Sequence, residues 1–237
     1  MRTTDRDFLD QLDGFFDQDV ENLFKNGFQG LKKLMKKEIR LARTEKKSKL
    51  LEYNPDSPFS YLAAFLRDKA VASVAPSTKY VIKRVVKAMD LKRARVVVEY
   101  GPAEGVITRR ILAELPADGV LMAVERNANF VKALNRIRDP KLRVVQGDVQ
   151  DIDEILRAQR LDGADVIVSG IPFSFFDPPG RRRLLGKTCG LLNRGGRFVA
   201  YQFTTHLIPL LKYYFREVDT QLELRNLPPH FVFTCLK

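Results

Sequence analysis

The spacing of hydrophobic and polar residues changes near residue 95. Upstream, Phe8, Leu12, Phe15, Phe16, Val20, Leu23, Phe24, Leu31, Leu34, Met35 and Ile39 recur at steps of three and four, the period of an amphipathic helix. Gly27 and Gly30 are expected to divide this stretch into two helices. Arg43 to Lys49 is too polar to pack, and Asn54-Pro55-Asp56-Ser57-Pro58 reads as a turn or linker. Another helix is expected around Tyr61 to Lys69. It leads into Val74-Ala75-Pro76-Ser77-Thr78, where Ser77 or Thr78 can cap a helix running to about Met89.

Beyond Arg95, short apolar runs alternate with helical patterns, as in a parallel sheet covered on both faces. Strands are expected near 95–100, 119–125, 142–146, 164–169 and 196–203, with helices near 105–115, 127–138, 150–158, 178–192 and 205–214. The closing QLELRNLPPHFVFTC reads as two strands joined by Asn226-Leu227-Pro228-Pro229, an antiparallel hairpin. Together these predict an α/β fold: a Rossmann-like, seven-stranded mixed sheet in residues 59–237, preceded by a helical extension over 1–58.

The ends of the first four strands carry the candidate chemistry. RVVVEYGPAEG closes the first strand with Glu99 and a glycine turn, Glu125 follows LMAV, Asp148 sits in VVQGD, and Ser169-Gly170-Ile171-Pro172 follows DVIV. In an open α/β sheet, ligands bind beyond the carboxyl ends of the strands, so these four loops should converge. Gly101 and Gly105 let a backbone approach a ligand, and the helix after Gly105 offers free N–H groups to an anion. Glu99 can hold an ammonium, Glu125 both hydroxyls of a ribose, and Asp148 the exocyclic amine of adenine. A dinucleotide fingerprint, G-x-G-x-x-G, would need glycine at 101, 103 and 106, where the chain has Gly101, Ala103 and Val106. Taken singly, a glycine turn is often structural and an acid at a strand end is usually a solvated loop residue. It is their order that points to a nucleotide cradle.

From about residue 62 onward the chain resembles the class I S-adenosylmethionine-dependent methyltransferases. Within them it resembles the bacterial phospholipid N-methyltransferases, which convert phosphatidylethanolamine stepwise to phosphatidylcholine. The matching stretches are VAPST, VVVEYGPAEGVITRRIL, VERNANF, VVQGDVQDI, DVIVSGIPFSFF and LRNLPPHFVF. The resemblance implies S-adenosylmethionine held by Ser77, Glu99, Gly101, Ala103, Gly105, Glu125, Arg126, Gly147, Asp148, Val149, Ser169 and Gly170. It implies a substrate pocket walled by Ile171, Pro172, Phe173, Phe175 and Phe176, with no metal. Ala103 departs from the family, which usually has glycine there; its methyl group either crowds the cofactor or fixes the loop. An ammonium cannot attack a methyl group, so a proton must be accepted; Tyr201, His206 and His230 lie on segments that can reach the pocket.

Two other readings stay open. The ribosomal RNA adenine dimethyltransferases resemble the same core but carry Asn-Leu-Pro-Tyr or Asn-Ile-Pro-Phe after the fourth strand, where this chain has Gly170-Ile171-Pro172-Phe173. A catalytically weak membrane- or RNA-binding module on the same scaffold is the third reading, and Ala103 keeps it open.

The formal charge of +12 attracts polyanions of either kind. Residues 1–24 carry seven acids against Arg2 and Arg6, whereas 25–50 carry ten Lys or Arg against Glu38 and Glu45. A helix with Phe15, Phe16 and Phe24 on one side, followed by Lys32, Lys33, Lys36, Lys37 and Arg40, suits an anionic phospholipid membrane surface. The same apolar face could instead pack on the domain's own core. Cys189 and Cys235 lie far apart in apolar stretches, as reduced packing residues do, and there is no apolar run of about 18 residues. The expectation is a cytoplasmic protein, peripheral to the inner face of the membrane.

Overall fold

The computed structural model describes residues 78–202, 204–223 and 230–237. All belong to the unit Ser77–Lys237. The boundary expected after residue 58, the helices expected over 8–41 and 61–69, Ser77, every residue assigned to membrane contact, and the turn at 224–229 lie outside the described residues.

The described chain runs α1 (Lys79–Met89), β1 (Val96–Tyr100), α2 (Val106–Glu114), β2 (Val120–Glu125), α3 (Ala128–Leu134), β3 (Leu142–Gln146), α4 (Ile152–Ala158), β4 (Ala164–Ser169), α5 (Pro178–Leu191), β5 (Leu192–Gln202), α6 (Ile208–Tyr214), β6 (Glu217–Glu223) and β7 (His230–Leu236). The strands form one sheet in the order β3-β2-β1-β4-β5-β7-β6. β1 to β5 are parallel, and β7 runs antiparallel between β5 and β6. The expected seven-stranded mixed sheet is therefore the observed one. Its order reverses at β1, flanked by β2 on one side and β4 on the other, and the crevice at such a reversal is where open α/β sheets bind ligands.

Burial explains why these segments take these forms. β1, β2 and β4 are nearly continuous Val, Leu, Ile and Met runs because helices cover both faces of the central sheet. α1 puts Val81, Val85, Val86 and Met89 into a core shared with Val97, Leu121, Val166, Val199 and Val232. Burying each such side chain contributes roughly 1.5–3 kcal/mol, which far exceeds what helix propensity supplies over eleven residues. Thr78 occupies the N-cap position of α1, but its side chain makes no capping hydrogen bond.

Three boundaries differ from the sequence expectation. β5 starts at Leu192, before the polar Asn193-Arg194, because a register irregularity opposite Ala164 and Val166 lets the strand begin through a bend at Gly195 (φ +75°). α3 stops at Leu134, short of 138. β6 begins at Glu217, where Glu217, Asp219, Thr220 and Gln221 read as loop by hydropathy. They form an edge strand whose exposed charges discourage pairing with another chain.

Candidate functional site

The loops after β1, β2 and β3 are tied together at the carboxyl edge of the sheet. Gly101 donates its N–H to the Val124 carbonyl at 2.9 Å, and Gly147 donates to the Glu125 carbonyl at 3.1 Å. Glu125, 8% exposed, joins the loops through its side chain: Oε2 accepts from Ala103 N–H at 3.1 Å and Oε1 from Asn127 N–H at 2.8 Å. Each carboxylate oxygen keeps a second lone-pair direction for a ligand hydroxyl. Gly101, Glu125 and Asp148, predicted to meet, thus sit on three neighbouring loops.

The first loop needs its glycines. Gly101 has φ +63°, and a β-carbon there would stand 2.7 Å from Ile171 Cγ1, so the turn after β4 closes directly onto it. Gly105, at φ +77°, is the N-cap of α2, and a β-carbon there would meet Leu134 at 2.9 Å. Ala103 also lies in the left-handed region, at φ +49°. That is where glycine is favoured, and the Ala103 N–H on Glu125 holds the loop in this shape despite the methyl group.

Glu99 is 3% exposed at the end of β1, and burial pushes its carboxyl up from 4.5 to about 7. A 2.7 Å hydrogen bond from the Thr108 hydroxyl opposes that rise, and the nearby Glu125 charge adds to it. Such a group is poised to take up a cation, which would let it ionise at neutral pH. Thr108 was not anticipated. Its only sequence signal is a polar residue at a core-facing position of VITRRIL, one turn after Gly105.

Asp148 turns its Oδ1 to accept from Gln150 N–H at 2.9 Å, which fixes the carboxylate at the start of the short turn before α4. It also borders a cavity of about 330 Å³ between this loop and α5, lined by Gln150, Gly180 and Lys187 but by none of Glu99, Gly101 or Glu125. Arg126 approaches Asp148 at 3.9 Å with an exposed side chain, a contact of little energetic weight. Val149 is buried beneath the loop.

After β4, Ser169 is buried and its hydroxyl accepts from Ile171 N–H at 3.2 Å, bending the chain. Gly170 lies against Tyr201 of β5. Pro172 and Phe173 are buried, and Phe173 packs on Phe176 and, edge-on, on Phe198 at ring separations of 6.0 and 6.1 Å. Phe173 therefore anchors the turn in the core, while Phe175 is exposed and Phe176 half-buried. Tyr201 and His230 come together, their ring centroids 6.5 Å apart. His206 lies on the loop leading into α6. Among the described residues, no group of three His, Cys, Asp or Glu side chains is placed to hold a metal ion, and no helix is long and apolar enough to cross a membrane. Cys235 is buried and Cys189 half-buried, and neither is in a disulfide.

No protein-family model matches the chain. The ornithine lipid N-methyltransferase of Singulisphaera acidiphila is 32% identical over 183 residues, covering 75% of this chain and 94% of that protein. The ribosomal RNA small subunit methyltransferase A of Parasynechococcus marenigrum is 36% identical over 118 residues, covering 48% of this chain but 35% of that protein. Among solved structures, the N-methyltransferase NodS of Bradyrhizobium japonicum in complex with S-adenosyl-L-homocysteine superposes with a TM-score of 0.58 at 14% identity, over 77% of this chain and 99% of that one. The 1,6-didemethyltoxoflavin-N1-methyltransferase of Burkholderia thailandensis gives 0.56 at 20% identity, over 78% and 92%. Sheet order, loop architecture and the near-full-length relative converge: the chain belongs to the class I S-adenosylmethionine-dependent methyltransferases. It is an enzyme, and its methyl donor is S-adenosylmethionine. The site fits that donor, with bare backbone at Gly101 and Gly105 and carboxylates at Glu99, Glu125 and Asp148 on loops that touch one another.

Proposed function

We propose that the enzyme N-methylates the headgroup amine of a membrane lipid, taking phosphatidylethanolamine towards phosphatidylcholine at an anionic membrane surface. The observation that carries this reading is the 32% identity to a lipid N-methyltransferase across 94% of that protein, where the first ribosomal RNA methyltransferase relative is matched over 35% of its length. The absence of an amide side chain at Gly170 supports it from the site itself.

In this reading Glu99 receives the donor's ammonium, Glu125 its ribose hydroxyls and Asp148 its adenine amine, while the N-terminus of α2 faces its carboxylate. When bound, S-adenosylmethionine supplies an electrophilic sulfonium methyl. The protein's own contribution is alignment and exclusion of water: Ile171 closes over Gly101, and Tyr201 lies against Gly170. The amine must arrive neutral or lose its proton on the way, to Tyr201, His206, His230 or water.

The basic segment carrying Lys32, Lys33, Lys36, Lys37 and Arg40 would hold the enzyme at the inner face of the membrane. Each such residue contributes roughly 1 kcal/mol near an anionic surface, so binding to vesicles should weaken steeply as salt rises.

The test is to incubate the protein with labelled S-adenosylmethionine and either phosphatidylethanolamine liposomes or ribosomal RNA. Label in the organic phase alone supports the lipid reading. Label in RNA alone replaces it with the adenine reading.

A further inference from the structure

Gly170 and Tyr201 occupy equivalent places on adjacent strands. Ser169 pairs with Ala200 at the end of the β4–β5 ladder, so the next residue on each strand is Gly170 and Tyr201. A β-carbon on Gly170 would fall on the Tyr201 hydroxyl, with the ring carbon Cζ at 2.6 Å. No side chain can stand at position 170 while Tyr201 keeps this place.

The ring is held from behind. It packs against the core that α1 shares with the sheet. Tyr201 pairs with Val232 across β5 and β7, which puts His230, two residues earlier, on the same face as Tyr201. His230 lies 9% exposed with its ring 6.5 Å from that of Tyr201. Opposite His230 on β6 stands Glu223, 2% exposed, whose Oε2 accepts from Arg84 Nη2 at 3.0 Å and Nε at 3.2 Å. A row of polar side chains, Glu223, His230 and Tyr201, thus crosses the carboxyl edge of the sheet and ends at Gly170.

We propose that Tyr201 determines substrate choice: its ring takes the volume that an amide side chain at position 170 would need, and its hydroxyl accepts a hydrogen bond from the amine to be methylated. The proposal rests on the aminolipid reading above and goes further by assigning the selecting residue. A planar base amine is best held by a fork of acceptors such as an amide with a main-chain carbonyl. Glycine beside a phenol offers instead one hydroxyl, able to accept whatever else it bonds, and an aromatic face. That pair suits a tetrahedral aliphatic amine, whose methylated, cationic product is attracted to the ring face.

The test compares wild type with Tyr201→Phe and Gly170→Asn on liposomes of phosphatidylethanolamine and phosphatidylglycerol, and on ribosomal RNA. Label transfer gives kcat and KM, and calorimetry gives the Kd for S-adenosylmethionine. Losing one hydrogen bond to a charged or charge-developing group should lower kcat/KM of Tyr201→Phe on lipid about ten- to a hundredfold, with cofactor Kd unchanged within about twofold. Gly170→Asn should lose lipid activity to a similar extent. The inference alone is overturned if wild type labels lipid and Tyr201→Phe stays within about threefold of it, or loses cofactor binding in the same proportion as activity. Wild-type label in RNA only, or in neither substrate, overturns the aminolipid reading together with this inference.

Discussion

Replacing Glu99 by glutamine tests the electrostatics of the site most directly. The carboxyl is 3% exposed, and burial lifts it from 4.5 to about 7, against the opposing hydrogen bond from Thr108 and with a further push from Glu125. A folded-state value above the unfolded one means that the native protein binds this proton more tightly. The contribution of Glu99 to stability is therefore fullest below about pH 4.5, falls as pH rises, and levels off above about pH 7. The difference corresponds to about 3 kcal/mol of ionisation cost in the cofactor-free protein at alkaline pH. Glutamine keeps the shape and can still bond Thr108, but it cannot ionise. Urea unfolding of both proteins at pH 5 and pH 8 should show Glu99→Gln gaining about 2–3 kcal/mol on wild type between the two conditions. Comparing the pair cancels the other titrating groups. Saturating S-adenosylmethionine should shrink that gain, because its ammonium would offset the wild-type charge. A wild-type-to-variant difference that is the same at both pH values refutes the argument.

Three further outcomes follow from named contacts. Ala103→Gly relieves a left-handed alanine, at φ +49°, while keeping the N–H on Glu125, so calorimetry should show equal or tighter cofactor binding and scanning calorimetry a stability gain of up to about 1 kcal/mol. Gly101→Ala sets a β-carbon 2.7 Å from Ile171 Cγ1 at φ +63°; cofactor Kd should rise at least about tenfold, and Gly101→Ala with Ile171→Ala should recover part of the lost stability in thermal melts. Asp165→Ala removes the acceptor of Arg95 N–H at 2.7 Å, Val96 N–H at 3.0 Å and Asn193 Nδ2 at 2.7 Å, and denaturant titration should show a loss of about 2–3 kcal/mol. Burial raises the Asp165 carboxyl, but these bonds overcome that and leave it lowered. Its stabilising effect should therefore fade as pH falls below the ordinary carboxylate range.

The chain announces much of this molecule locally. Buried parallel strands must be apolar along most of their length, so VVVEY, VLMAVE and ADVIVS stand out, and each carries at or next to its carboxyl end the residue placed at the ligand edge, Glu99, Glu125 or Ser169. Gly101 and Gly105 could be read because a tight turn with positive φ leaves few other choices. The first half of β6 could not, since an exposed edge strand carries charges that mimic a loop. Nor does any local pattern show that Glu125 reaches back to Ala103, that Thr108 bonds Glu99, or that Tyr201 fills the space beside Gly170. The first and last of those contacts depend on strand order and register, which place residues 22 and 31 positions apart side by side only after the sheet has closed around β1; the second depends on how α2 packs back onto β1. Period and turn chemistry act between neighbours and so are written along the chain. The raised carboxyl of Glu99 and the volume denied to position 170 arise from burial and close approach, which only the assembled sheet supplies.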